Sequence, residues 1–246
     1  MSTVRVQFLG SGDAFGSGGR LQTCIYIETE SIRFLIDCGA TALSGMKRFG
    51  IDPASIDLIL LSHLHGDHFG GLPFLIPELR LVSKRIRPLL IAGPAGAADR
   101  IQAAMENFFP GSSQMQGFPL EFIELFDRQP TRIESLTVTP HRVVHSPGTN
   151  PYALRIECAN KIIAYSGDTE WVASLFDAAR GADLFICEAY FYEKQVKYHV
   201  SYQTLQAQRQ ALDCRRLIVT HMSDDMLGRL ADIEVEWAED GLRIDL

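Results

Sequence analysis

Three histidines and an aspartate fall within six consecutive positions, His63-Leu64-His65-Gly66-Asp67-His68, in a chain with only seven histidines. Imidazole nitrogen and carboxylate oxygen without thiolate are donors that suit Zn, Mn or Fe. A turn leaving a strand can aim His63 and His65 at one ion while Asp67 and His68 reach a second. The competing explanation is a polar loop that is rich in histidine for no chemical reason. The motif, however, follows directly on the apolar run Ile56 to Leu61. Such a run reads as a buried strand, and the motif then sits at its mouth.

Residues of the same kind recur at the ends of other short apolar runs. Phe34-Leu35-Ile36 ends on Asp37, Arg142-Val143-Val144 on His145, and Ile163-Ala164-Tyr165-Ser166-Gly167 on Asp168. Phe185-Ile186-Cys187 ends on Glu188 and Ile218-Val219-Thr220 on His221. Strand ends can converge on one sheet edge, so a layered fold can assemble a site from remote segments. Two ions need donors beyond the His63 to His68 segment. Asp168 has two oxygens with which to bridge them, and His145 and His221 can complete one ion each. Asp168 can equally cap a helix near Trp171, and the residues alone leave both readings open. Asp37 is expected to hold the metal loop through hydrogen bonds.

The elements that must position these residues follow from periodicity. Val4 to Leu9 alternates with period two, and Cys24 to Glu28 and Ile32 to Asp37 read as a hairpin. A helix over Ala40 to Phe49 and the strand Ile56 to Leu61 come next. In the helical stretch Gly70 to Ser83, Pro73 and Pro77 predict a kink or a break. A strand at Leu89 to Ala92 and a helix at Pro94 to Phe109 lead to a loop at Pro110 to Pro119. Strands are expected at Leu120 to Phe126, Leu136 to Thr139, Tyr152 to Glu157 and Lys161 to Tyr165, the last two joined by a turn at Ala159-Asn160. Helices at Trp171 to Ala179 and Ser201 to Leu212 alternate with strands at Leu184 to Cys187 and Leu217 to Thr220. Ile233 to Leu246 reads as a hairpin turned at Asp240-Gly241. Together these predict an α/β chain of two mixed sheets packed face to face with helices outside, folded as one domain over residues 1–246.

Gly10 to Gly19 invites comparison with a nucleotide loop. The dinucleotide pattern requires a helix directly after the glycines, whereas this chain returns to a strand at Cys24. It reads instead as a lip beside the site, with Arg20 a candidate phosphate contact. Phe69, Phe74, Met105, Phe108, Phe109 and Met115 are expected in the core or lining a pocket, and Tyr190, Phe191 and Tyr192 beside it.

The metal residues, their order and their flanks resemble the metallo-β-lactamase superfamily, in particular its ribonuclease Z and phosphodiesterase branch. Leu9-Gly10-Ser11-Gly12, Ile36-Asp37-Cys38-Gly39, Ser166-Gly167-Asp168-Thr169, Glu188-Ala189 and Thr220-His221-Met222-Ser223 carry the likeness across nearly the whole chain. The resemblance implies a four-layer αβ/βα sandwich of two mixed β-sheets flanked by helices. It also implies two divalent ions, usually Zn2+, with Mn2+ or Fe2+ compatible with the donors. One ion would take His63, His65 and His145, the other Asp67, His68 and His221, with Asp168 between them. His141 competes with His145, but the downstream Ser146-Pro147-Gly148-Thr149-Asn150-Pro151-Tyr152 fits the family with His145 as ligand, which leaves His141 on a strand face. His199 resembles the position that protonates the leaving alkoxide, oriented by an acid that is here Glu188. Its alternative is a surface histidine ahead of the helix cap Ser201.

Composition limits what such a site can act on. Hydrophobic residues at 46% and charged residues at 22% are ordinary for a globular chain and far from the signature of disorder. The net charge of −7 disfavours nucleic acid as a partner, because that recognition rests on Lys and Arg against phosphates. Members that process tRNA commonly carry a long basic arm, often between the positions equivalent to His145 and Asp168, where this chain has 22 residues. The expectation is a phosphodiesterase for a small or cyclic phosphodiester, with metal-activated hydroxide as nucleophile, Asp67 helping to orient that water and His199 as general acid. The alternatives are a lactone or thioester hydrolase, a tRNA 3′-end endonuclease, and a non-catalytic metal-binding module. Five scattered cysteines, Cys24, Cys38, Cys158, Cys187 and Cys214, indicate neither a disulfide framework nor a thiolate site. No apolar run approaches the roughly 20 residues that cross a bilayer. The start Met1-Ser2-Thr3-Val4-Arg5 shows no leader pattern. A cytoplasmic protein, away from membranes, is therefore expected, and a homodimer is compatible with the sequence.

Overall fold

Alternation along a strand sends successive side chains to opposite faces, and here both faces are apolar, so each sheet must be covered twice. The computed structural model describes residues 3–246 and shows how. Met1 and Ser2, where the leader-free reading of the sequence begins, lie outside the described residues. One sheet runs β1 (Arg5–Gly10), β2 (Cys24–Glu28), β3 (Arg33–Ile36), β4 (Leu58–Leu60), β5 (Leu89–Gly93) and β6 (Leu120–Glu124), with β14 (Arg243–Asp245) beside β1. The other runs β13 (Glu236–Trp237), β12 (Leu217–Thr220), β11 (Leu184–Glu188), β10 (Lys161–Tyr165), β9 (Tyr152–Cys158), β8 (Leu136–Arg142) and β7 (Thr131–Ile133).

Phe34, Ile36, Leu58 and Leu60 of the first sheet share a buried core with Leu154, Ile156, Ile163 and Ile186 of the second. The intervening Leu35 and Ile59 face outward, where α1 (Ala42–Arg48), α3 (Leu72–Leu81) and α4 (Ala97–Phe108) cover them with Met46, Leu75, Leu79 and Ile101. On the far side, Phe185, Cys187 and Val219 pack under α5 (Ser174–Ala179), α6 (Tyr202–Gln208) and α7 (Asp224–Leu227). The result is the four-layer αβ/βα sandwich of two mixed sheets. All five cysteines are free thiols.

Strands β3 to β6 are mutually parallel, as are β10 to β13. Parallel strands bring their carboxyl ends to one edge, where open α/β sheets place their ligands. The short helix α2 (Gly66–Phe69) begins just beyond β4 at that edge.

Three expectations need correction. The tail is not a hairpin: β13 pairs with β12 in one sheet and β14 with β1 in the other. Val235 and Trp237 pack with the core under α5 to α7, whereas Ile244 belongs to the core between the sheets, so the chain has to change layers at Asp240-Gly241. Helix α3 is unbroken through Pro77, because Leu75, Ile76 and Leu79 bury one continuous face. The helix expected from Trp171 begins only at Ser174, with Ala173 as its N-cap, so Asp168 does not cap it.

Candidate metal centre

Each candidate donor stands just past a carboxyl strand end or in the turn beyond it. Ser62 and His63 follow β4, and α2 then brings Asp67 and His68 back over the strand ends. This return requires Gly39, since a Cβ there would lie 2.3 Å from the Asp67 carbonyl oxygen. Asp168 follows β10 through Gly167, whose φ of 59° is left-handed and whose Cβ would meet the Tyr152 carbonyl at 2.8 Å. His145 lies three residues past β8, and His221 follows β12 directly with φ 57°.

The side chains meet in two adjoining groups. His65 Nδ1 lies 3.3 Å from His63 Nε2 and 3.0 Å from His145 Nε2. Donor atoms of Asp67, His68, Asp168 and His221 form the second group, all within 4.8 Å of one another. Asp168 Oδ2 stands between the groups, 3.2 Å from His221, 3.3 Å from His68, 3.8 Å from His63 and 3.9 Å from His145. His141 is not part of either group; it is buried on β8.

Two atoms test whether a cation fits. His68 Nε2 and Asp168 Oδ1 are buried and have no hydrogen-bond partner among the described residues. A buried polar atom left so costs about 1–3 kcal/mol, and a cation would satisfy both. The surroundings aim the rings for that purpose. His68 Nδ1 donates to Asp37 Oδ2 at 2.7 Å, while Ser62 N–H and Oγ–H each donate to Asp37 at 2.8 Å. His145 Nδ1 donates to the Tyr198 carbonyl at 2.8 Å. Locking one ring nitrogen presents the other to the site.

Electrostatics divide the groups. Burial lowers His63 well below the ordinary imidazole value, and burial likewise lowers His65 and His145. Burial also opposes charge on His68 and His221, but the carboxylates outweigh it: Asp168, Asp67 and Asp37 raise His68 strongly, and Asp168 leads for His221.

His199 stands beside this cluster with a donor atom within 4.8 Å of those of His145 and Asp168. Its Nδ1 is bonded to Glu188 Oε2 at 2.8 Å, and the Tyr190 ring stacks on it at 4.6 Å. Glu188 is fully buried at the end of β11 and also accepts from the Thr169 N–H. Burial, and then the charge of Asp168, push Glu188 well above the usual carboxylate range. A groove of about 680 Å³ beside the cluster is lined by His65, Asp67, Phe69, Phe74, Arg100 and Phe108. Arg20 donates through Nη1 to Ser11 Oγ and the Ala238 carbonyl, so it braces the tail against the first loop. Tyr198 and Glu170 escape the sequence reading, because a backbone carbonyl and its support have no motif.

Fold and site together define a metallo-β-lactamase-fold protein, a metallo-hydrolase architecture with a His/Asp cluster suited to a metal. The profile of the family described as Anti-Pycsar protein Apyc1 matches residues 4–235, and the chain belongs to that family. Among known relatives, Rv1339 of Mycobacterium tuberculosis is 33% identical over 196 residues, 76% of this chain and 68% of that one. The short form of human tRNase Z superposes with a TM-score of 0.80 at 26% identity, covering 98% of each chain. The metallo-β-lactamase fold protein YhfI of Bacillus subtilis gives a TM-score of 0.80 at 24% identity over 100% of each chain. Among the described residues no helix is long and apolar enough to cross a membrane.

Proposed function

We propose that this protein is a phosphodiesterase that cleaves a small or cyclic phosphodiester, with His63, His65 and His145 holding one divalent ion, Asp67, His68 and His221 a second, and Asp168 shared between them. When bound, two such ions, Zn2+ by preference, acidify water and neutralise charge growing on phosphoryl oxygens. Asp67 has a carboxylate oxygen 3.2 Å from His68 Nε2 and 3.9 Å from His221 Nε2, close enough to the donors to help orient the attacking water.

The observation that carries the reading is the His199 to Glu188 contact of 2.8 Å beside the His145 and Asp168 donors. Alkoxide is a poor leaving group, so phosphodiester cleavage gains from a proton supplied as the ester oxygen departs. Glu188 fixes Nδ1 of His199, leaving its other nitrogen to carry that proton. Burial lowers His199 against the pull of Asp168 and Asp67, so the ring carries its extra proton only towards lower pH and releases it easily once it does. Lactone and thioester cleavage has less need of such a donor. The net charge of −7 and the short His145 to Asp168 connection weigh against a tRNA substrate.

Hydrolysis of bis(p-nitrophenyl) phosphate and of a panel of small linear and cyclic phosphodiesters by the zinc- or manganese-loaded protein tests the reading. Turnover of phosphodiesters over thioesters and lactones is expected. No phosphodiester turnover in any metal form would sink it.

A further inference from the structure

We propose that Glu170 is a positioning residue that ties the His145 side of the centre to the His199 loop through the backbone of Tyr198. Glu170 Oε1 accepts from the Tyr198 N–H at 2.9 Å. The Tyr198 carbonyl in turn accepts from His145 Nδ1 at 2.8 Å. Tyr198 has φ 74°, a left-handed conformation that a residue with a large side chain adopts only when its surroundings hold it there. The carbonyl that orients His145 belongs to the peptide joining Tyr198 to His199, so one peptide unit orients the His145 ring and sets the backbone from which His199 projects.

Glu170 is itself held in place. Its N–H donates to the Val144 carbonyl at 2.9 Å, and the Val144 N–H donates to Thr169 Oγ1 at 3.2 Å. The residue ahead of His145 is thereby fastened to the residues on either side of Glu170's own N–H. In the loop between β11 and α6, Glu193, Lys194, Gln195 and Lys197 are exposed, and a bridge between Val196 and His199 closes the turn that contains Tyr198, with Glu170 as the side chain that accepts from its amide. Without the carboxylate, Tyr198 can relax to a negative φ, which rotates its carbonyl away from His145 and swings the His199 backbone with it. Outer partners of this kind are worth about 10–100-fold in metal affinity.

The inference rests on His145 being a metal donor, and its test separates that assumption. Zinc affinity is measured by competition with a chromophoric chelator for the wild type, Glu170→Ala and Glu170→Gln, alongside the absorption spectrum of the cobalt-substituted proteins. Exchange of the Tyr198 amide is followed by NMR in the metal-free wild type. Glu170→Ala is expected to weaken one of two ions about 10–100-fold and to alter the cobalt spectrum, while Glu170→Gln, whose amide oxygen still accepts from Tyr198, stays within about threefold of wild type. The Tyr198 amide is expected to be protected in the wild type. Unchanged affinity in Glu170→Ala, equal losses in both variants, or an unprotected Tyr198 amide would each overturn the assignment. A wild type that binds no zinc while protecting that amide refutes the metal reading of His145 and leaves the Glu170 to Tyr198 strap standing.

Discussion

Nδ1 of His68 donates to Oδ2 of Asp37 across 2.7 Å, and both side chains are fully removed from solvent. Asp37 also receives the Ser62 amide and hydroxyl, so one carboxylate organises the β4 exit and α2 together. Replacing Asp37 with Ala leaves the His68 ring N–H and the Ser62 amide, both buried, without their acceptor, while the Ser62 hydroxyl keeps only its contact with His63 Nδ1. The expected cost is about 3–5 kcal/mol, read as a lowered midpoint in denaturant unfolding of the metal-free protein. Zinc affinity falls as well, because His68 loses the bond that aims Nε2. A metal-free protein whose stability is unaltered by Asp37→Ala would contradict this role.

Metal uptake is coupled to protons with a definite sign. His68 and His221 are raised above the ordinary imidazole value of about 6.5, so between that value and their raised ones the metal-free folded protein binds protons that the unfolded chain lacks. That contribution to stability is complete below 6.5 and is lost as pH climbs through the raised values. An arriving cation must displace these protons. Titration calorimetry near pH 7 in buffers of different ionisation enthalpy is expected to show proton release, and zinc affinity to rise with pH across this window. Uptake with no buffer dependence would show that these two rings are already neutral.

Removing His199 discriminates by leaving group. His199→Ala is expected to lower kcat about 10²–10⁴-fold on a dialkyl or cyclic phosphodiester. On bis(p-nitrophenyl) phosphate the loss is smaller, because nitrophenolate departs without a proton. Zinc content measured by atomic absorption stays at the wild-type value. Equal losses on both substrates would assign His199 a role other than proton donation.

Backbone geometry next to Asp168 offers a control within the same chain. Gly167 and Gly181 have φ of 59° and 65°, but only Gly167 has a neighbour in the way of a side chain. Gly181→Ala is expected to lose about 1 kcal/mol for the left-handed conformation alone. Gly167→Ala must in addition displace Tyr152 or tilt Asp168, and it is expected to lower both the thermal midpoint and zinc binding. Equal effects of the two substitutions would mean that the Tyr152 carbonyl yields freely.

Much of the fold is legible in the residues because apolar runs and polar punctuation agree. β2 spans Cys24–Glu28 as alternation predicts, and the Ala159-Asn160 turn takes left-handed φ values of 47° and 62°, as a tight hairpin demands. The tail fails for an instructive reason. Both arms around Asp240-Gly241 look like strands, but local pattern does not say which sheet an arm joins. The short β7 and α2 are held by neighbours and not by their own propensity. At the site, His63 to His68, His145, Asp168, His199 and His221 are visible because their side chains carry chemistry. The Tyr198 carbonyl is invisible because every residue has one.

The donors that gather around Asp168 reach from His63 to His221, 158 positions apart. Closing a loop of such span carries a large entropic cost, whereas His63, His65, Asp67 and His68 are neighbours in sequence from the outset. A cation held by all of these residues would tie segments of both sheets together, so its binding would be coupled to their docking.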